Sequence, residues 1–174
     1  MIELYPYTIN DGIPSVRDSE LLGLYQTMES DKSLDVVYYN KPQDDISPEW
    51  WMAFIKTHCQ LFVILETGDD GKRSIVGIVY LNNVVGRRAD IHYCMFKPVW
   101  GRSAEICSEV MRLLFEHTNM DCFVALIPEY NKQALGKPTE YGFKSSAIIK
   151  KACYISSLGK SVNGHQYTMA RKGK

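Results

Sequence analysis

The stretch Ala89-Asp90-Ile91-His92-Tyr93-Cys94-Met95-Phe96-Lys97-Pro98-Val99-Trp100-Gly101-Arg102-Ser103-Ala104 decides how the rest of the chain is read. Residues 89–96 form an apolar-rich run that reads as a strand, whose period of two sets Asp90, His92 and Cys94 on one face and Ile91, Tyr93 and Met95 on the other. Pro98, which cannot donate to a ladder, ends it. Beyond Ala104, the residues Ile106, Val110, Leu113, Leu114 and His117 fall on one stripe, with Glu105, Glu109, Arg112 and Glu116 mostly off it, so the longest helix starts here. A strand that delivers a short turn into a helix N-terminus aims backbone N–H groups and the positive end of the helix dipole at one point, which suits an anion. Gly101 permits a tight turn there, Ser103 and Ala104 are small enough for close backbone approach, and Arg102 can add a charge-assisted contact.

Working outward, Leu61–Glu66 and Ile75–Leu81 are apolar runs around the turn Gly68-Asp69-Asp70-Gly71, an antiparallel hairpin. Upstream, residues 17–29 have near-helical apolar spacing with Asp18 or Ser19 as a cap, and a second helix starts at Ser47-Pro48 and runs through Trp50, Trp51, Phe54 and Ile55. Between them lies an acidic polar loop, residues 30–46. Downstream come a buried-type strand over 122–127, a short helix over 131–137, and closing strands over 145–155 and 165–170. The order predicts one α+β domain, a mostly antiparallel central sheet flanked by about four helices. Residues 1–60 form a helical segment, 61–143 the sheet core, and 144–174 the closing strands.

Length and composition agree with one globular domain: 174 residues, 45% apolar and 23% charged. The formal net charge of zero conceals a sorting, since residues 1–60 hold 4 basic and 10 acidic groups while 144–174 hold 7 basic and none acidic. Neutrality overall argues against broad phosphate-backbone binding, leaving only a tail-directed nucleic-acid role over residues 160–174 as a remote competitor. Five unpatterned cysteines without a C-x-x-C pair fit a reducing compartment and offer no metal site. The start lacks a basic segment followed by an apolar one, and no apolar run is long enough to span a bilayer, so the expectation is a cytoplasmic protein without a membrane partner.

Asn131-Lys132-Gln133-Ala134, followed by Tyr141-Gly142-Phe143, supplies a second motif. With these residues the chain resembles the GNAT superfamily of acyl-CoA N-acyltransferases, whose last block reads Asn-x-x-Ala, a short helix, then Gly-Phe. The Trp100-Gly101-Arg102 turn is similar to that family's pyrophosphate loop, especially in the ribosomal-protein N-acetyltransferase branch. The resemblance spans about residues 47–170. It implies transfer of an acetyl group from acetyl-CoA to an amine by direct attack, with no metal. The acceptor would be a small molecule or a peptide or protein N-terminus, and the protein a monomer or homodimer.

By the same resemblance Phe96 offers backbone donors to the pantetheine arm, Lys97 and Trp100 to Ala104 hold the pyrophosphate, and Asn131 contacts the cofactor. His92 would be the base, oriented by Asp90. The tyrosine that many relatives place seven residues after the asparagine is here Pro138, so Tyr141 or Tyr130 would have to act as the acid. The loop also departs from the family at Ser103 and Glu105, where glycine or alanine is usual. These departures motivate an alternative, a catalytically inactive CoA-binding sensor or assembly protein of phage-related type. Cys94 beside His92 invites a Cys–His nucleophile reading, but a spacing of two along a strand is too long for direct proton transfer. His58, His117 and His165 are read as structural. Finally, the acidic loop over 30–46 would attract a cationic amine, and the acidic first third and basic last third would face each other across the acceptor groove.

Overall fold

The alternation in residues 60–96 builds the middle of a seven-stranded sheet in the computed structural model, which describes residues 1–172. In chain order the elements are β1 (Ile2–Pro6), β2 (Ile9–Asn10), β3 (Ile13–Pro14), α1 (Asp18–Ser30), α2 (Leu34–Val37), α3 (Pro48–His58), β4 (Gln60–Thr67), β5 (Arg73–Val85) and β6 (Arg88–Met95). They continue with α4 (Ser103–His117), β7 (Cys122–Pro128), α5 (Lys137–Glu140), β8 (Lys144–Ile155) and β9 (Lys160–Ala170). The sheet order is β1-β4-β5-β6-β7-β9-β8, while β2 and β3 form a small separate hairpin. Every neighbouring pair in the large sheet is antiparallel except β6 and β7. The α+β class and mostly antiparallel sheet therefore match the sequence reading.

Three differences have simple causes. β1 adds a strand to the far edge by pairing with β4, so residues 1–60 are not purely helical. The short helix expected over 131–137 is a run of turns. Gly136 takes a left-handed φ of 83° and a single helical turn starts only afterwards, with Pro138 in its first turn, where a missing N–H costs nothing. The helices thus number five among the described residues, two of them single turns. At α1 neither Asp18 nor Ser19 is the cap: Arg17 holds that position and its N–H donates to the Glu20 carboxylate at 2.7 Å. At α3 the cap is as read, Ser47 Oγ accepting the Trp50 N–H at 3.2 Å.

The sheet buries both faces. Ile64, Val79 and Ile91 face α4 and pack with Ile106, Val110 and Leu114. Val63, Ile78 and Tyr80 face the other way, toward Leu21, Trp51 and Ile55 of α1 and α3. Each fully buried aliphatic side chain contributes about 1.5–3 kcal/mol, so this double-sided core makes the sheet a rigid frame. One interruption in that frame positions the site. β6 and β7 pair only where Arg88–Asp90 meet Cys122–Val124, and their edges then diverge.

Candidate functional site

Past that short parallel ladder the two strand edges are open, and which backbone groups they present follows from parity. The Phe96 N–H donates to Val76 O at 2.9 Å, so in the antiparallel ladder with β5 the even-numbered residues His92 and Cys94 also spend their backbone groups on β5. Tyr93 and Met95 consequently turn theirs to the gap. On the facing edge the Glu129 N–H donates to Asn163 O, so Leu126 turns toward the gap as well. This corrects Phe96 as a donor: its N–H is used by β5, its carbonyl accepts from Val99, and its side chain is buried. The sequence signal that could have found Tyr93 and Met95 is the hairpin register, which fixes that parity.

The gap is the floor of a cavity of about 660 Å³ that passes between the strands. On the α4 side its walls include Trp100, Ser103, Cys107, Asn131 and Tyr141. On the α1–α2 side they include Ser33, Val36, Val37, Tyr39 and His92. Two elements far apart in sequence close the second half. The Tyr39 carbonyl accepts the Ser156 N–H at 2.9 Å, and the Tyr130 hydroxyl donates to Asp35 O at 3.3 Å.

The turn before α4 is a tight 3-10 segment over Lys97–Arg102, continued into the helix by the Ser103 N–H donating to Trp100 O. It is pinned twice. The Asp31 carboxylate accepts the Lys97 N–H at 2.7 Å, and the Trp100 indole N–H donates to Met95 O at 2.7 Å. Trp100 is therefore a clasp between turn and strand as well as a wall. Gly101 has no positive φ, and a Cβ there would meet nothing within 4 Å, so the fold does not require glycine. The space beside the glycine is open, and Gly101 itself is exposed and not among the residues that line the cavity. Glu105, where the loop departs from the family pattern, is exposed and outside the cavity, so its carboxylate does not face the turn's ligand space. Ser103 lines the cavity and Ala104 is half-buried against the α4-side core.

Two expected charges do not reach the cavity. Arg102 forms a two-pronged pair with Glu66 at 3.0 and 2.8 Å, directed at the end of β4. Lys97 uses its N–H on Asp31 and its side chain is exposed. The lysines that line the cavity are instead Lys32, Lys132 and Lys137, the last paired with Glu140. Lys132 has no ion-pair partner among the described residues. Asn131 lines the wall as expected: its Oδ1 accepts the Ala134 N–H at 3.2 Å, leaving the amide nitrogen as a donor.

His92 sits on the α1–α2 side, its ring stacked on Tyr80 with centroids 4.7 Å apart, and Tyr80 stacks in turn on Tyr38. Asp90 does not touch it. Both Asp90 oxygens are used by Arg88 (2.6 Å) and Asn83 (3.0 Å), and the partner of His92 Nε2 is Asn82 Oδ1 at 3.2 Å. With Asn82 Oδ1 as acceptor, Nε2 carries the proton and Nδ1 keeps its lone pair. Burial brings the imidazole pKa down to about 4, with the Asp90 charge pulling weakly the other way, so His92 is neutral near pH 7. Burial pushes the Cys94 thiol up to about 11 and the Cys107 thiol up to about 12, so neither is a thiolate and a Cys–His nucleophile is absent.

Tyr141 is only 5% exposed, packs edge-on against Tyr93, and its hydroxyl has no hydrogen-bond partner. Burial holds it well above the ordinary tyrosine range, so it stays protonated and able to donate. A buried orphan donor on a cavity wall, open strand edges and an unobstructed turn at a helix N-terminus together fit a pantetheine arm and its pyrophosphate. Among the described residues no cluster of three or more histidines, cysteines or carboxylates could hold a metal ion, and no helix is long and apolar enough to cross a membrane.

Of the two expectations about charge, the acidic attraction is largely missing and the meeting of the two thirds holds without its charges. Of the acidic groups in residues 30–46 only Asp31 lines the cavity, where its Oδ2 accepts the Lys97 backbone N–H. The acidic and basic thirds do meet, but through Tyr39, Cys153 and Ser156, which are uncharged, and none of the lysines of β8 or β9 lines the cavity.

No protein-family model and no curated protein matches the chain. Solved structures do. The chain is similar to the ribosomal-protein-S5-alanine acetyltransferase of Vibrio fischeri, at 15% identity and a TM-score of 0.67 over 97% of this chain and 91% of that one. It is similar to a spermidine N-acetyltransferase of Vibrio cholerae solved with CoA and spermine, at 13% identity and a TM-score of 0.66 over 96% and 95%. A probable GNAT-family acetyltransferase of Chromobacterium violaceum gives 15% and 0.70 over 97% and 82%. The fold is that of the GNAT acetyltransferases.

Proposed function

We propose that this protein is an N-acetyltransferase that moves an acetyl group from acetyl-CoA to a primary amine within a ternary complex. The observation that carries the reading is the cavity between the diverging β6 and β7 edges, with the partnerless Tyr141 hydroxyl buried in its wall. Acetyl-CoA supplies an activated acyl carbon: the amine lone pair forms the C–N bond, the C–S bond breaks with its electrons on sulfur, and the proton shed by nitrogen ends on that sulfur. The chain's own groups then have distinct tasks. The Tyr93 and Met95 N–H groups bind and orient an extended amide-bearing arm from the strand edge. The Gly101–Ala104 turn and the α4 N-terminus receive the diphosphate, with Lys132 at the rim and the Asn131 amide between turn and gap. Tyr141 donates its proton to the departing sulfur, in the role that Pro138 cannot fill, and the proton shed by nitrogen restores the tyrosine through solvent, so that one proton passes from nitrogen to sulfur overall. His92 Nδ1 accepts the N–H of the attacking amine.

Calorimetric titration with acetyl-CoA tests this reading on the turn. Gly101→Val fills the open space in front of it without a clash in the fold. The expected result is an unchanged melting temperature and acetyl-CoA affinity lowered at least about tenfold, on the order of 1.4 kcal/mol. Absence of acetyl-CoA binding by the unsubstituted protein refutes the reading. Binding without transfer to any amine identifies a relative that keeps the ligand and has lost the chemistry.

A further inference from the structure

The α1–α2 half of the cavity has a chemistry of its own, and it bears on which amine enters. Its walls are mainly Val36, Val37, Tyr39, Leu126 and Pro128, with Ser33 and the neutral His92 as polar groups. One carboxylate reaches the cavity, Asp31, and its Oδ2 accepts the Lys97 N–H at 2.7 Å, which fixes its position at the turn while its charge remains. Asp35 is exposed and absent from the lining, its recorded contact being the backbone carbonyl that accepts from Tyr130. Asp90 is held by Arg88 and Asn83. Beside Asp31 on the same rim stands Lys32, of opposite charge. An entering polycation thus meets apolar walls and a rim whose two charges, Asp31 and Lys32, offset each other, with no net negative charge to replace the water it loses.

We infer that the acceptor is a primary monoamine carried on an apolar group and bound as its neutral base. This rests on the acetyl-transfer reading above and goes further, since that reading leaves the amine unspecified. An apolar pocket rejects the ammonium form, so the cost of entry is the cost of losing a proton in solution. That cost separates amines by basicity. An α-amino group, with a reference value of about 8, is substantially neutral at pH 7.5, whereas an alkylamine resembling the lysine side chain, at about 10.4, is neutral in about one molecule per thousand. At equal shape the less basic amine is favoured by about two orders of magnitude.

The test compares leucine amide, 3-methylbutylamine and spermidine as acceptors by kcat/KM at pH 7.5. The first two share an apolar branch and differ in basicity, while the third is a polycation. Leucine amide is expected to exceed 3-methylbutylamine about 100-fold, with the gap closing as pH approaches 10, and spermidine is expected to be the poorest. Val36→Asp, which places a free carboxylate on the wall, is expected to raise kcat/KM for spermidine at least about tenfold and to lower it for 3-methylbutylamine. Spermidine as the best substrate of the unsubstituted protein overturns the inference. If acetyl-CoA binds and no amine is acetylated, the transfer reading fails separately. Calorimetry of the CoA-loaded protein then decides the acceptor site: leucine amide binding more tightly than spermidine supports it, and equal or reversed affinity, or no binding of either, overturns it.

Discussion

Tyr141→Phe is expected to make the protein more stable and less active. The hydroxyl is buried without a partner, and an unsatisfied buried polar group costs about 1–3 kcal/mol. Phenylalanine keeps the ring contacts with Tyr93 and Phe143 and removes only the oxygen. Chemical denaturation should show a gain on the order of 1 kcal/mol. If the hydroxyl protonates the leaving sulfur, kcat should fall about 100-fold, at the lower end of general-acid contributions, while acetyl-CoA affinity changes little. The opposed signs make the result diagnostic. A residue that merely packs gains stability and loses no activity, and a residue that organises the core loses both. Unchanged kcat would remove Tyr141 from the chemistry and leave its stranded hydroxyl without a function.

How much of this was legible beforehand depends on whether an argument needed one strand or two. The β6–turn–α4 unit is local, and Pro98 and the stripe from Ile106 to His117 are sufficient to read it. The facing of His92 and Cys94 toward one side and Ile91 and Met95 toward the other needs only the period of a strand. The partners of these residues lie across the sheet. Asn82, and not Asp90, meets His92 because the hairpin register sets Tyr80 opposite His92 and Asn82 opposite Asp90. Arg102 reads as a phosphate ligand from its neighbours in sequence, yet Glu66, 36 residues earlier, engages both its terminal nitrogens. The acidic loop likewise counts as charge in the sequence and mostly disappears from the site, because Asp35, Asp44 and Asp45 do not line the cavity and Asp31 alone does. Local pattern thus pointed to the turn and strand beside the cavity, and long-range hydrogen bonding decides which of the candidate residues have unused groups.

His92→Gln is expected to lower kcat about 100-fold and to flatten the acid side of the stability curve. The stability effect follows from the sign of the pKa change. In the unfolded chain the imidazole titrates near 6.5, in the folded protein near 4, so above pH 6.5 it contributes no difference. As pH falls from 6.5 toward 4 the unfolded state binds the proton first, and the fold loses up to on the order of 3 kcal/mol, complete below about pH 4. Glutamine has no such titration, and denaturation midpoints measured at pH 7.5 and 4.5 should lie closer together in the variant. The same low basicity decides what His92 does in catalysis. Taking a proton from an alkylammonium near 10.4 would be uphill by on the order of 9 kcal/mol, too much for useful turnover. Its Nδ1 can accept only an N–H that becomes acidic as the C–N bond forms, and the amine must arrive already neutral. The pH profile of kcat/KM should therefore rise through the alkaline range at the pKa of the free amine and show no inflection near 6.5. A limb near 6.5 that vanishes in His92→Gln would mean that the imidazole titrates as in water and serves as a conventional base.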